Sequence, residues 1–524
     1  MKKIFWKIGL VAAVALCFVF SGAVSAMAAT PTWMKLSIGA MNTVGVKSNG
    51  SLWAWGNYSG TGGYAQASPM ECLVGTTWND VAAGDNCDFA IKSDGTLWAW
   101  GDNTYGQLGI GSTDAQQAAV QVGISTNWAS IYAGPCNTFA IQKDGSLWAW
   151  GDNTNDQLGI GTSNRALSTP PPAAGTVVVS SPVRVGTDTN WKSVAILDGA
   201  VLGLKTDGSL WAWGNNSAGV FGNGNSDMEG MSADSKIPLR IGTANDWATL
   251  SAGAAHVVAL KTNGTLWTWG MNSEGEVGAG DTTLLHPTAT QLGTATWKYA
   301  MAGALSTVAV KSDGTLWTWG FNGYGTNNLG TGLTDTYVTS PTQIQGASNW
   351  ISVVSGNGRS LGLKSDNTLW GWGNWPVGDG TNEDRTVPVL IFDKSMLVDL
   401  TSLTNSASGP VLKWTPFPNA TGYRIYRNAV EIAEVGPGGL SSYTDTKAVS
   451  GMSYGYSICA YTGNIYNQTG SILDNTLTIT YLAQPTLTSL TNSATGPLLT
   501  WTRSKGATGY YIYRKVPGGA FARI

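Results

Sequence analysis

Residues 92–111 read KSDGTLWAWGDNTYGQLGIG, and the same line returns, with substitutions, seven times along the chain. Its tryptophan pairs are Trp53/Trp55, Trp98/Trp100, Trp148/Trp150, Trp211/Trp213, Trp267/Trp269, Trp317/Trp319 and Trp370/Trp372. Twenty residues ahead of each pair stands a third tryptophan, at Trp33, Trp78, Trp128, Trp191, Trp247, Trp297 and Trp350. These triplets account for 21 of the 25 tryptophans, so the composition reports a repeat. A block recurring at this kind of period is a repeat architecture, in which each unit needs its neighbours to cover its apolar surface.

Within the second copy, WNDVAAG at 78–84, Phe89-Ala90-Ile91 and Leu97-Trp98-Ala99-Trp100 are three short apolar runs. The last two are separated by Asp94-Gly95. An Asp-Gly step suits the tight turn of a β-hairpin, whose central residues need positive φ. Alternate side chains of a strand face opposite ways, yet both faces of Leu97-Trp98-Ala99-Trp100 are apolar. A sheet with one solvated face would alternate with polar residues. Each small sheet is therefore covered on both sides. A fourth run follows, as in Val183-Arg184-Val185 and Leu239-Arg240-Ile241. Four short strands, seven times over, predict an all-β chain built on a seven-bladed β-propeller; a linear solenoid is the alternative.

The pattern W-x-x-[VI]-x-x-G, K-x-[DN]-G-x-L-W-x-W-G-x-N, Q-L-G-x-G resembles the regulator of chromosome condensation repeat in a bacterial, tryptophan-rich form. The resemblance implies the propeller fold. It also implies a histidine nine residues after the first tryptophan, the usual eukaryotic choice. Here that slot holds Asn42, Cys87, Asn137, Ala200, His256, Ser306 and Arg359, so His256 alone matches. The eukaryotic activity implied is nucleotide exchange on a small GTPase. The family also includes a secreted bacterial inhibitor that uses its propeller to bind a β-lactamase.

Lys2, Lys3 and Lys7 precede an uncharged apolar run and the small-residue site Ala26-Met27-Ala28. This reads as a secretory signal peptide over 1–28, leaving no membrane span after cleavage. The expected location is secreted, extracellular or in the cell envelope. A secreted chain does not meet a cytosolic GTPase. The net charge of −3 with 12% charged residues provides no basic surface for nucleic acid. Cys72, Cys87, Cys136 and Cys459 are too few for a disulfide framework, and Cys87 and Cys136, in adjacent copies, read as two buried free thiols.

The repeat length varies between its third and fourth strands. Insertions include STPPPAAG at 168–175, the segment 221–238 with Asp227, Glu229 and Asp234, and an acidic group of Asp379, Glu383 and Asp384. Such insertions gather on one face of a repeat protein, and loops on a rigid scaffold commonly carry binding. The contact candidates are the aromatics that break the repeat there: Tyr58, Tyr105, Phe221, Tyr324 and Trp375. Trp53, Trp98, Trp148, Trp211, Trp267, Trp317 and Trp370 are assigned to packing, because they recur at fixed positions.

After Phe392 the tryptophan period stops. Residues 395–482 resemble a fibronectin type III module, with Trp414 on its second strand and Tyr454 as its corner tyrosine. Leu403, Trp414 and Tyr423 recur as Leu490, Trp501 and Tyr510, each 87 residues later. Residues 483–524 therefore begin a second, incomplete sandwich, as expected for a fragment of a longer product. The propeller takes 29–394.

The two histidines, His256 and His286, sit beside no recognisable nucleophile. The sequence shows no HExxH or phosphate-binding loop, and no catalytic residue, metal ligand or cofactor is assigned. The expectation is a monomeric, non-enzymatic binding or adhesion protein whose propeller loops recognise an extracellular protein or glycan. The alternative is an extracellular carbohydrate-active enzyme or its accessory module, which requires paired carboxylates. Nucleotide exchange ranks last.

Overall fold

The computed structural model describes residues 32–523 apart from 57–65, 74, 162–177, 227–233, 324–327, 347, 393–399, 407, 417–421, 429, 437–440, 463–468, 471–476, 481–486, 494–495, 503–512 and 516–520. The leader at 1–28, Tyr58, Tyr324 and the proline-rich insertion at 168–175 lie outside the described residues. Pro31–Met396 form one compact unit, and Leu397–Ile524 belong to another.

The first unit is a β-propeller of repeated antiparallel meanders. The first meander runs β1 (Trp33–Ile38), β2 (Asn42–Lys47), β3 (Leu52–Gly56) and β4 (Gln66–Cys72), in that order across the sheet. The second runs β5 (Trp78–Ala83), β6 (Cys87–Lys92), β7 (Leu97–Gly101) and β8 (Gln116–Gln121). The same arrangement follows in sheets starting at Trp128, Trp191 and Trp350. Between Trp247 and Gln343 the sequence pattern predicts two separate four-stranded sheets. The structure joins them into one of seven strands. The 18-residue strand Leu285–Ala302 closes one meander at Thr290 and opens the next at Trp297. Its middle carries a register shift, with Trp267 paired to Gln291 and Thr265 to Thr296.

Each repeat position has an identifiable job. In every meander the turn Asp or Asn accepts from a Ser or Thr hydroxyl two residues on, and that hydroxyl accepts from the indole two residues further. In the second meander Asp94 accepts from Thr96 Oγ1 at 2.7 Å, and Thr96 Oγ1 accepts from Trp98 Nε1 at 3.0 Å. The relay recurs at Trp53, Trp148, Trp211, Trp267, Trp317 and Trp370. A lysine from the second strand lies over this indole: Lys92 stands 3.6 Å from the Trp98 ring centre, Lys205 3.6 Å from Trp211 and Lys311 3.3 Å from Trp317. A cation on the electron-rich face of an indole is favourable where water is partly excluded. Gln142 occupies the lysine's place in the third meander.

The second member of each pair is the one buried between neighbouring sheets. Trp55, Trp100, Trp150, Trp213, Trp269, Trp319 and Trp372 have at most 1% of their surface exposed. The indole N–H of Trp150, Trp213, Trp269 and Trp319 donates to a backbone carbonyl of the preceding meander's loop, at Gln107, Gln157, Val220 and Glu276. Two residues beyond each of those carbonyls lies a glycine pressed onto the same ring. A Cβ on Gly278, at φ 83°, would stand 2.6 Å from Trp319 Nε1. Gly109, Gly159 and Gly222 meet Trp150, Trp213 and Trp269 in the same way. Gly378, from the last meander, meets Trp55 of the first.

The unit from Leu397 holds two facing sheets. Leu400–Ser406, Gly409–Trp414 and Ser442–Thr444 form one; Val430–Val435, Gly422–Arg427, Ser453–Thr462 and their neighbours form the other. Leu400, Leu412 and Trp414 from the first pack with Tyr423, Ile425 and Tyr456 from the second. The Tyr454 hydroxyl accepts from the Val449 N–H at 3.0 Å. The hairpin register Leu400↔Trp414 recurs 87 residues later as Leu487↔Trp501.

Replacing Gly278 by alanine should destabilise the propeller by about 2–4 kcal/mol, through positive φ and collision with a fixed ring. Gly346 also has positive φ but nothing within 4 Å of its would-be Cβ, so Gly346→Ala should cost only about 1 kcal/mol. Equal losses of melting temperature in the two variants would contradict the packing role of the Gly278–Trp319 contact.

Candidate functional site

Five of the loops between third and fourth strands are built on one buried asparagine, at Asn103, Asn153, Asn216, Asn272 and Asn322, and Tyr58 and Trp375 take that place in the sequence of the first and last copies. Asn103 accepts from the Leu108 N–H at 2.9 Å and donates through Nδ2 to the Ser112 and Asp114 carbonyls. Beside it, Asp102 accepts from the Thr104 N–H and hydroxyl, and from Gln107 Nε2 at 3.0 Å. Asp152 repeats this arrangement with Thr154 and Gln157. Asn216 and Asn272 hold Phe221 and Val277 as Asn103 holds Leu108. The side chain carried just before the loop's turn differs from copy to copy: Tyr105, Asn155, Ala218 and Glu274.

Tyr105 is half-buried, and its N–H donates to Gln107 Oε1 at 2.8 Å. Trp375 is half-buried, and its N–H donates to the Asp384 carboxylate at 2.8 Å. Phe221 corrects the sequence reading. It is fully buried, among Leu202, Val257 and Trp269, and so offers no surface for contact. It lies five residues after Asn216, as Leu108 lies five after Asn103, and therefore fills the repeat's apolar slot. That five-residue spacing was the signal available in the sequence. The acidic group near the last loop is also committed internally: Asp379 pairs with Arg385 at 2.5 Å and accepts from the Thr381 hydroxyl, while Asp384 holds Trp375.

The slot nine residues after each first tryptophan opens the second strand, and at Asn42, His256 and Arg359 its side chain bridges to a neighbouring meander. Asn42 donates through Nδ2 to Asp88 of the second meander. His256 Nε2 lies 3.0 Å from the Thr307 hydroxyl, and Thr307 in turn donates to the Glu276 carbonyl. Burial pulls His256 down to about 4, so its ring is neutral. Arg359 joins the last meander to the first, donating to the carbonyls of Ala40 at 2.8 Å, Gly39 at 3.1 Å and Asn42 at 2.8 Å. The sequence reading treated these positions as substitutions for a histidine and missed the bridging. The one large cation in the slot, in the final copy, was the available sign. His286 instead lies at the start of the strand Leu285–Ala302, 3.1 Å from Asp281.

The turns preceding these slots carry Asp85, Cys136 and Asp198. Burial raises the Asp85 carboxyl, with a further push from Asp198, and burial raises Asp198. Burial and nearby carboxylates push the Cys136 thiol up to about 11, and Cys87 is fully buried with its thiol well above the ordinary range. Cys72 and Cys136 are half-buried free thiols. The Cys459 side chain lies outside the described residues.

The regulator of chromosome condensation (RCC1) repeat profile matches residues 94–141, 144–196, 207–260 and 313–363, and a second profile of that repeat matches 78–107 and 247–276. Regulator of chromosome condensation repeats are thus found at 78–141, 144–196, 207–276 and 313–363 of the propeller. Ultraviolet-B receptor UVR8 of Arabidopsis thaliana is 30% identical over 210 residues, covering 38% of this chain and 46% of the receptor. The match thus spans about half the receptor's length. Protein RCC2 homolog of Danio rerio is 35% identical over 91 residues, 17% of each chain. Among solved structures, Prp20p from Saccharomyces cerevisiae aligns with a TM-score of 0.53 at 22% identity, covering 64% of this chain and 84% of that one. Human WBSCR16 aligns with a TM-score of 0.53 at 16% identity, covering 65% and 89%. At these identities the structural likeness concerns the fold.

Asp88 yields a pH prediction. Burial raises its carboxyl to about 7, against the hydrogen bond from Asn42 that favours the anion. A carboxyl raised in the folded state stabilises most below its unfolded value, and the contribution is lost as pH rises to the folded value. Melting temperature should therefore fall between about pH 4 and 7 and flatten above. Asp88→Asn should remove that dependence and melt higher than the parent at pH 8. An unchanged pH profile in the variant would count against the assignment.

Proposed function

We propose that the meanders form a closed seven-bladed propeller in a secreted or cell-surface bacterial protein, which binds an extracellular protein or glycan without catalysing a reaction. In this reading 1–28 is the removed leader and 29–394 the binding domain. Residues 395–482 are a fibronectin type III spacer, and 483–524 begin a second one. The supporting observation is the loop design. An Asn-anchored framework repeats, while the side chain it presents changes from Tyr105 to Asn155, Ala218 and Glu274. Fixed backbone with varied display suits recognition, because ordering costs are met before the partner arrives. Tyr105 and Trp375 are the aromatic contacts, in keeping with the weight of aromatics in binding hot spots. Tyr58 and Tyr324 are further candidates outside the described residues.

The test is capture of envelope proteins and glycans by the full chain, compared with Tyr105→Ala/Trp375→Ala. The double variant should melt like the parent and lose about tenfold or more in affinity for the captured partner. Equal binding by both would move the site off this loop face.

Asp85 and Asp198 favour the carbohydrate-active reading as a second choice. Burial raises both carboxyls, and the Asp198 charge raises Asp85 further, and a glycosidase needs two carboxyls. That reading predicts polysaccharide cleavage abolished by Asp85→Asn and by Asp198→Asn. Absence of any cleavage by the parent across plant, fungal and bacterial polysaccharides would reject it.

A further inference from the structure

The fourth strand of each meander is the outer strand of its sheet, apart from Leu285–Ala302, which runs on into the next meander, and an outer strand invites pairing with another chain unless something blocks it. Six of these strands contain a proline: Pro69, Pro182, Pro238, Pro287, Pro341 and Pro388. Proline gives no N–H to an incoming strand. Four of the six add charge, at Glu71, Arg184, Lys236 with Arg240, and Arg385. β8 has neither device. It reads QQAAVQ, and no charged residue stands between Asp114 and Lys143. Gln117, Ala118 and Gln121 are exposed along it, and Ile124, just past its end, is 94% exposed.

We propose that β8 is a self-association edge, pairing antiparallel with β8 of a second copy of this chain. The occupant follows from the strand's own sequence. Antiparallel pairing about a two-fold axis through Ala119 sets Gln117 opposite Gln121 and Ala118 opposite Val120. Side-chain amides meet, no like charges face each other, and the small alanines at the axis permit close approach. A two-fold contact requires this self-complementarity, and glutamine ladders add hydrogen bonds across such pairs. Ile124 of each copy then gains cover at the end of the joint strand pair. A contact over one short strand lies at the small end of interface sizes, so the dimer forms in proportion to concentration. This departs from the monomer expected from composition.

The test exploits the repeat. Pro69, Pro182, Pro238, Pro341 and Pro388 each stand one residue before a strand residue paired with the third strand. Ala119 stands in the same place before Val120, which pairs with Ala99, so Ala119→Pro installs a residue that the fold accepts elsewhere. By light scattering and sedimentation velocity, the full-length parent should approach twice its monomer mass as concentration rises. Ala119→Pro should stay monomeric with the parent's melting temperature. Ala119→Cys, on the axis, should oxidise to a covalent dimer, whereas Pro182→Cys, at the equivalent place in the third meander, should not. A parent that stays monomeric at the highest attainable concentration overturns the proposal. So does a dimer that persists in Ala119→Pro, or equal cross-linking of the two cysteine variants.

Discussion

A bare glycine resting on the indole of the next meander's tryptophan sets the separation of the sheets, and the remaining packing follows from that distance. With no Cβ, the loop backbone reaches the ring closely enough for the indole N–H to bond a carbonyl two residues earlier, as Trp319 does with Glu276. The loop is thereby fixed at both ends, to its own sheet through an asparagine and to the following sheet through the ring. Dispersion over a large aromatic surface supplies the adhesion. The hydrogen bond supplies the register, because a buried indole donor left unmet is costly.

This arrangement was legible in the sequence to an uneven degree. The hairpin turns, the strand order and the repeat itself followed from Asp-Gly steps and apolar runs. The division between the two tryptophans of each pair did not. Trp98 and Trp100 are both invariant, and only coordinates show one under a lysine and the other between sheets. The strand running from Leu285 to Ala302 was also hidden, since Gly293 suggests a break where the strand runs on through a register shift. Phe221 was misplaced because a change of residue type was given more weight than its spacing from Asn216. Arg359 escaped notice because its partners are backbone carbonyls, which have no signature in sequence.

The contrast between invariant and variable positions bears on what the molecule can do. The repeated lysines, serines, threonines and aspartates are polar and resemble a reactive inventory, yet they hold turns and indoles. Asp94 illustrates this, being kept below the usual carboxylate range by the Thr96 hydroxyl and N–H. Chemical individuality resides where copies disagree: in the residue before each loop turn, in the bridging slot and along the outer strands. Those three sets lie on different parts of each sheet, so each can change without disturbing the others.

The continuous strand from Leu285 to Ala302 has a consequence for how the ring can be cut. Between most meanders the chain passes through a short turn, with Gly123, Gly186 or Gly242 at positive φ just after the outer strand. New chain ends placed there would interrupt no ladder. Across 285–302 the same operation would sever a strand that pairs with Thr265–Met271 over its first part and with Ser306–Lys311 over its last. A circular permutant opened at the glycine turns keeps every sheet whole, whereas one opened near Gly293 divides the single sheet that two meanders share. The propeller is thus a ring of interchangeable repeats with one inseparable pair.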